Sequence, residues 1–172
     1  MSGASGDYLD LIRASHQPIR WAGTISIAAL PRLAAAVAGI NGQASAELQA
    51  KHDGGQVTVQ GKVEANLMLT CQRCFGNMHF PVKADLNLAW VRDEKEAVSL
   101  PAVYEPLLSA SGRVKIADLI EDELLLALPI AARHAAPQEC GAGVRSTARP
   151  AVTDAKEKRR KPFAALESLK HR

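Results

Sequence analysis

The sequence predicts an α+β fold, in which an antiparallel β-meander is covered by one helix and preceded by a short N-terminal helix. Two alternating runs, at residues 57–69 and 80–90, each place apolar side chains on one face, as half-buried strands do. A helical stripe at residues 116–127 can cover that face. From residue 141 onward large apolar residues become scarce, which indicates a disordered basic C-terminal tail.

Two elements are predicted before the meander. Residues 24–27 alternate between polar and apolar side chains, which indicates an edge strand or an extended lead-in. Pro31 suits the first turn of a helix, and apolar residues then recur at helical spacing up to Ile40. The Asn41-Gly42 pair is typical of a helix end, so we expect a short packing helix here.

Three alternating runs form the predicted meander. The first run, at residues 44–51, leads into Asp53-Gly54-Gly55, which is typical of a tight turn between strands. The second and third runs are separated by a turn that contains Cys71-Gln72-Arg73-Cys74. Pro81 has no amide hydrogen, so we expect the third strand to expose that position or to form a bulge there.

The covering helix is predicted to end at Pro129, because proline disrupts a helix interior. Asp118 is a suitable N-cap, and the acidic residues at 121–123 would occupy the first turn, where the helix dipole favours negative charge. Before this helix, residues 92–97 indicate a charged loop and residues 100–106 an extended segment. We expect the helix to pack on the apolar face of the meander.

The composition favours a soluble cytoplasmic protein. Of the 172 residues, 47% are hydrophobic and 23% charged, as in ordinary globular chains. Three cysteines are an odd number without scaffold-like spacing, which argues against a secreted disulfide framework. We see no signal peptide and no apolar run long enough to span a membrane. Because phosphate-loop, dinucleotide and zinc-protease motifs are also absent, we expect neither an enzyme nor a small-molecule substrate.

The two cysteines of the turn are the main candidate site. Cys71 and Cys74 at a hairpin tip can direct both sulfurs at one ion, and a structural zinc ion needs four thiolate or imidazole ligands. Cys140 offers a third sulfur, and His134 or His79 offers an imidazole. The preferred zinc site is Cys71, Cys74, His134 and Cys140, which would join the hairpin tip to the chain after the helix. Two alternatives stay open, namely thiols that only fill the turn and a redox pair.

The tail offers a second candidate site. We expect a single α+β domain at residues 1–140, a flexible basic linker at 141–161 and a short amphipathic motif at 162–172. The basic end of the linker can follow the phosphate backbone of RNA, although a solvated tail is an equal alternative. The apolar stripe after it is too short to be a stable helix alone, so it must dock on something. The predicted RNA-binding or partner-binding residues are Arg73, Lys156, Lys158, Arg159, Arg160, Lys161, Phe163, Leu166, Leu169 and Lys170.

Three blocks of the sequence resemble the YceD family, the large ribosomal RNA subunit accumulation proteins. They are residues 69–74, residues 121–129 with His134 and Cys140 behind them, and residues 162–170. The resemblance implies a cytoplasmic protein that is needed for accumulation or processing of the 23S ribosomal RNA precursor and is not an enzyme. Lys161 departs from the asparagine that often precedes the Pro-Phe pair in that family.

Taken with the basic tail, this resemblance predicts a ribosome biogenesis factor. It would act by binding ribosomal RNA or the precursor large subunit, and its further partners would be ribosomal proteins or assembly factors. A zinc-stabilised adaptor that contacts proteins but no RNA is the alternative. A thiol redox protein is a third hypothesis, which the position of the cysteine pair between two strands does not support.

Overall fold

The computed structural model describes residues 7–140, and this part of the chain has the α+β fold that the sequence predicts. Its strands are β1 (Tyr8–Asp10), β2 (Ile19–Ser26), β3 (Gln43–Asp53), β4 (Gln56–Thr70), β5 (Asn77–Val91), β6 (Glu105–Leu108) and β7 (Arg113–Lys115). Its α-helices are α1 (Leu11–Ala14), α2 (Pro31–Ala36), α3 (Glu94–Val98) and α4 (Ile116–Leu126). None of these helices is long and apolar enough to cross a membrane.

A five-stranded sheet in the order β2-β3-β4-β5-β6 forms the body of the described chain. Strands β2 to β5 are consecutive and antiparallel, which confirms the predicted meander and the predicted edge strand. The short strand β6 adds in parallel to the last residues of β5, in the region where we expected only an extended segment. Strands β1 and β7 form a separate two-stranded antiparallel sheet.

The register of the meander follows from its alternation. Asp53 pairs with Gln56, and Gly54 and Gly55 between them have positive φ values of 60° and 89°. Two consecutive residues with positive φ make the tight hairpin turn that matches the twist of antiparallel strands. Pro81 pairs with Asn66 without a bulge, in the half of β5 that β6 does not reach, so its missing amide hydrogen interrupts no described pairing.

The core lies between one face of the sheet and α4. Helix α4 packs on β4 and β5, as the sequence predicts. The apolar face of the sheet is buried because side chains of a strand alternate with period two, and one side of α4 is buried because its apolar residues recur with the helical period of about 3.6. The fully buried side chains at this interface include Val59, Val63, Leu67, Ile120 and Leu124.

The acidic cluster of α4 does not lie where we expected it. The helix begins at Ile116 with Lys115 at its N-cap, so Asp118 is inside the first turn and is not the cap. Glu121 therefore lies in the second turn, where its side chain faces inward and is only 2% exposed. The interpretation of residues 121–123 as a solvated helix start is wrong for Glu121.

Glu121 instead caps the neighbouring helix α2. Its Oε1 accepts hydrogen bonds from the backbone N–H groups of Arg32 and Leu33, at 2.6 and 3.0 Å. Its Oε2 accepts a hydrogen bond from the Arg32 guanidinium at 2.8 Å. The first N–H groups of a helix have no partner within the helix, so one carboxylate supplies partners for two of them.

The structure differs from the sequence prediction at two further places. Helix α2 ends at Ala36, before the predicted end near Ile40, and the segment 92–97, predicted as a loop, contains α3.

Candidate metal centre

Three cysteines and one histidine meet at the tip of the β4–β5 hairpin. The ligand atoms of Cys71, Cys74, His134 and Cys140 all lie within 4.8 Å of one another. The sulfurs of Cys74 and Cys140 are each 3.5 Å from His134 Nδ1. Cys71 and Cys140 are buried, and Cys74 and His134 are partly exposed. The structure thus brings together the four residues that the sequence analysis selected.

The spacing of these atoms suits a tetrahedral zinc ion. Zinc binds sulfur at about 2.3 Å and imidazole nitrogen at about 2.0–2.1 Å, so the ligand atoms of a tetrahedron lie about 3.6–3.8 Å apart. The two sulfur-to-nitrogen distances of 3.5 Å are close to this value. Because all four ligands come from the protein, the arrangement matches a closed structural site, in which no position is open for a substrate.

Local backbone geometry forms one side of this site. Cys71 continues the buried phase of β4, and its N–H donates to the carbonyl of Gly76 at 2.9 Å. The N–H of Phe75 donates to the carbonyl of Cys71 at 2.8 Å, which closes the turn around Cys74. Phe75 has a φ of 58°, in the left-handed region that side chains other than glycine seldom adopt. The turn contains this conformation, and the sulfurs of Cys71 and Cys74 on either side of Arg73 lie within 4.8 Å of each other.

The segment after α4 forms the other side. The N–H of Gln72 donates to the carbonyl of Ala132 at 2.7 Å, which joins the hairpin tip to that segment. A 3-10 turn at Pro137–Glu139 then returns the chain, and the N–H of Cys140 donates to the carbonyl of Pro137 at 3.1 Å. These backbone contacts place His134 and Cys140 opposite the two cysteines of the turn.

Arg73 fastens the two sides together. Its Nε donates to Cys140 Sγ at 2.9 Å, and its Nη2 donates to the carbonyls of Ala136 and His134 at 2.9 and 3.4 Å. The side chain is half-buried and directed at the cluster, although the sequence placed Arg73 among the residues that bind RNA or a partner. A guanidinium beside several thiols also offsets the negative charge that thiolate ligands bring.

The pKa values of the Cys71 and Cys74 thiols are shifted in opposite directions. Burial raises the pKa of Cys71, but backbone hydrogen bonds from His134, Arg73 and Cys74 outweigh burial and lower that pKa to about 5. The backbone of Gly76 lowers the pKa of Cys74, but burial and the neighbouring thiols outweigh it and raise that pKa. The thiolate is the form that binds a metal, so Cys71 loses its proton for metal binding more easily than Cys74 does.

Comparison with known proteins decides the family. The family model described as large ribosomal RNA subunit accumulation protein YceD matches residues 59–170, which include all four residues of the cluster. The chain belongs to the YceD family. A protein named large ribosomal RNA subunit accumulation protein YceD, from Haemophilus influenzae, is 27% identical over 166 residues, which is 95% of each chain. No solved structure matches the chain.

The YceD match also covers the tail, but the predicted binding residues of the tail lie outside the described residues 7–140. The positions concerned are Lys156, Lys158, Arg159, Arg160, Lys161, Phe163, Leu166, Leu169 and Lys170. Of the two imidazoles considered, His79 pairs opposite Met68 within the hairpin, is exposed, and is not among the residues that form the cluster. The predicted contact of Arg73 with a partner stays a prediction. The hydrogen bonds of its guanidinium are made to Cys140 and to the backbone of His134 and Ala136.

Proposed function

We propose that this YceD-family chain supports the accumulation of large-subunit ribosomal RNA by binding ribosomal RNA or the precursor large subunit, and not by catalysis. The family match over residues 59–170 supports the ribosomal role. The closed set of four protein ligands supports a structural and not a catalytic metal site, because no ligand position is left for a substrate. The protein would act in the cytoplasm, where thiols stay reduced.

The cluster would hold one zinc ion through Cys71, Cys74, His134 and Cys140. The ion would link the β4–β5 hairpin tip to the segment that follows α4, with Arg73 beside it. Zinc stabilises such sites because the ligands are brought together only in the folded chain. Its contribution here is therefore to hold this end of the domain in one arrangement.

Metal analysis of protein purified without chelators tests the zinc proposal. We expect close to one zinc per wild-type chain and a strong loss of zinc in His134→Gln. His79→Gln is the matched control, because it removes an exposed imidazole that is not among the residues of the cluster. Zinc far below one equivalent in the wild type, together with unchanged folding after chelation, would overturn the zinc site.

The tail is proposed as the main element that binds the ribosomal precursor. The domain would comprise residues 1–140, the linker 141–161 and the docking motif 162–172. The basic residues would follow RNA phosphates, so affinity should fall with salt. Phe163, Leu166 and Leu169 would anchor the motif on ribosomal RNA or on an assembling ribosomal protein.

Deletion of residues 159–172 tests this placement. Residues 159–172 lie outside the described residues 7–140, and we expect the truncated protein to keep its circular dichroism spectrum and its thermal midpoint. In a sucrose gradient, it should no longer co-sediment with precursor large subunits. A variant with Lys156 and Lys158 changed to Gln, and with the motif intact, serves as the charge control. Unchanged co-sedimentation of the truncated protein would refute the placement.

A protein–protein adaptor without RNA contact is the second candidate. Its binding to precursor particles should survive neutralisation of the basic run from Lys156 to Lys161, and crosslinking in cells should recover no ribosomal RNA.

The lowered pKa of Cys71 favours a thiol redox protein as a third candidate, but Cys71 is buried with 0% exposure. A substrate disulfide would not reach that sulfur, so alkylation of the native protein should be slow.

A further inference from the structure

A polar cleft opens at the end of β4 that lies opposite the metal centre. Its volume is about 810 Å³, and it lies between α1, the β3–β4 turn, the last residues of β5 and α3. The β4 strand begins at this cleft and ends beside the cysteine turn, so the two sites are roughly 45 Å apart along the strand. Six of its lining residues carry the argument: Ile12, His16, His52, Gln56, Trp90 and Arg92.

Two arginine–aromatic pairs lie at this end of the fold. The guanidinium of Arg92 lies 5.5 Å from the centre of the Trp90 ring, and that of Arg113 lies 5.0 Å from the centre of the Tyr8 ring. A hydrogen bond from Trp90 Nε1 to the carbonyl of Ser109, at 2.8 Å, fixes the indole. Planar guanidinium groups over aromatic rings form flat, positively charged surfaces.

The two pairs are neighbours in space. Gly112 lies directly before Arg113, and a side chain at Gly112 would meet both Ile12 and the Trp90 ring, the latter at 3.1 Å. Ile12 and Trp90 both line the cleft, so Gly112 lies at its edge, and Arg113 follows Gly112 in the chain although neither Arg113 nor Tyr8 lines the cleft itself. Tyr8 is 51% exposed, which leaves its ring accessible to a ligand.

The polar groups of the cleft complement these flat surfaces. His16, in the turn after α1, and His52, in the β3–β4 hairpin, are exposed and line the cleft. The side-chain oxygen of Gln56 is buried and has no hydrogen-bond partner among the described residues. Because that oxygen is enclosed, it is not itself a contact for a ligand, and the two exposed imidazoles are the polar groups that a ligand in the cleft can reach.

These features together are those of a site for single-stranded nucleic acid. Unpaired bases stack on aromatic rings and on guanidinium planes, and cationic side chains contact the phosphates. Glu96 lines the cleft and accepts the backbone N–H of Arg92, and Asp93 next to Arg92 accepts N–H groups of α3, so both carboxylates have hydrogen-bond partners within the protein while keeping their negative charge.

The open face of the sheet does not offer these features. Lys83 forms an ion pair with Glu64, Lys62 pairs in register with Asp85, and Gln60 donates to Asn87. Charges of both signs neutralise one another there, and the pairs satisfy their own hydrogen bonds. The cleft is therefore the better RNA-contact surface on the described domain.

We propose that this cleft binds one or two nucleotides of single-stranded RNA, with Trp90 and Tyr8 stacking on bases and Arg92, Arg113 and His16 contacting phosphates. The inference rests on the proposed RNA binding and adds a second contact to that of the tail. Base stacking is tolerant of sequence, so the cleft would recognise an unpaired segment and not a particular base order.

Fluorescence of Trp90 gives a direct readout in the full-length chain. The chain has two tryptophans, so Trp21→Phe leaves Trp90 as the single reporter. The probe is an unlabelled single-stranded RNA of 12 nucleotides and mixed sequence. Stacking of a base on the ring should quench Trp90 emission as the RNA is added, whereas a contact made only by the tail should leave the emission unchanged.

Matched charge variants locate the contact. In anisotropy measurements with the same RNA carrying a fluorescein label, the double variant Arg92→Gln with Arg113→Gln should bind at least tenfold more weakly. The control Arg20→Gln with Lys62→Gln removes the same charge from exposed residues of the sheet, outside the cleft, and should lose no more than about twofold.

The outcomes separate the two proposals. RNA binding without Trp90 quenching, and with equal losses in both double variants, would overturn the cleft and leave the proposed RNA binding standing. Absence of RNA binding by the wild-type chain would overturn both. Quenching together with the selective loss would establish the cleft as a contact of its own.

Discussion

At the scale of single residues, Glu121 joins two helices that are far apart in the sequence. One buried carboxylate accepts three hydrogen bonds from Arg32 and Leu33, and only Arg32 carries the compensating charge. A buried acid is stable only when it is paired and hydrogen-bonded. The contact holds the start of α2 against the middle of α4, and so it positions two parts of the core at once.

Replacement of Glu121 by alanine should therefore be costly. The change leaves two backbone N–H groups at the start of α2 without partners and removes an ion pair, so we expect a loss of about 3 kcal/mol in the free energy of unfolding. Asp122→Ala is the matched control, because Asp122 binds the same arginine at 2.6 Å but is exposed. The control should lose less than about 1 kcal/mol. Urea unfolding measures both, and equal losses would contradict the capping role.

The same carboxylate makes stability depend on pH. Burial raises the pKa of Glu121, but the N–H groups of Leu33 and Arg32 and the guanidinium outweigh it, so the pKa lies below its ordinary value of 4.5. A depressed pKa in the folded state stabilises above the ordinary value, and this contribution is lost as the pH falls through the folded value. Stability should fall more steeply below pH 4.5 in the wild type than in Glu121→Gln. Parallel curves from urea titrations at several pH values would contradict this.

At the scale of elements, the close approach of β3 and β4 depends on Gly61. A methyl group there would overlap the carbonyl oxygen of Glu47 and approach the Leu48 side chain within 2.8 Å. Gly61 pairs directly opposite Leu48 in the middle of the meander. The absence of a side chain lets Leu48 pack over the neighbouring strand.

Gly61→Ala should destabilise the protein by about 2 kcal/mol through overpacking. The direction of this change in stability is informative, because replacing glycine by alanine in relaxed extended backbone commonly increases stability. Asn66→Ala, on the exposed face of the same strand, is the control and should change stability by less than about 0.5 kcal/mol. Thermal unfolding measures both variants, and a more stable Gly61→Ala would show that the strands can separate without cost.

The sequence predicted those elements whose pattern is local. Strands β3, β4 and β5 alternate over most of their length, so their existence, pairing and buried face followed from period two. The parallel strand β6 was missed because Glu105–Leu108 has no alternation and its pairing with β5 depends on a distant partner. Glu121 was placed on the wrong side of α4 because the start of that helix was taken too late, and a shift of a few residues turns a side chain from solvent to core.

At the scale of the whole molecule, the four candidate metal ligands could be predicted because one pair lies at a hairpin tip and the other follows the covering helix. The antiparallel hairpin and the position of α4 then bring both pairs to one end of the fold. The inward direction of Arg73 could not be predicted, because alternation stops at the turn. The cleft with Trp90 and Arg92 also has no local signature, since its residues come from five separate stretches of chain.

Removal of the metal should destabilise the described domain. Chelation by excess EDTA should lower the thermal midpoint of wild-type protein by roughly 10 °C, since a structural metal contributes several kcal/mol. His79→Gln should respond as the wild type does. His134→Gln should already unfold at the lower midpoint and respond little to chelation. A chelator effect of the same size in His134→Gln would contradict the predicted ligand set.

The pairing of β1 with β7 sets an order of events during synthesis. Tyr8 lies opposite Lys115, so β1, the first of the described strands to be synthesised, has its partner only after about 105 further residues. At a synthesis rate of about 5–20 residues per second, this strand waits for roughly 5–20 s. The β2–β5 meander can assemble in the meantime from neighbours in sequence, whereas the pairing of β1 and the contacts of Cys140 are completed after it. A nascent chain stalled before residue 113 should therefore leave its first strand open to proteases.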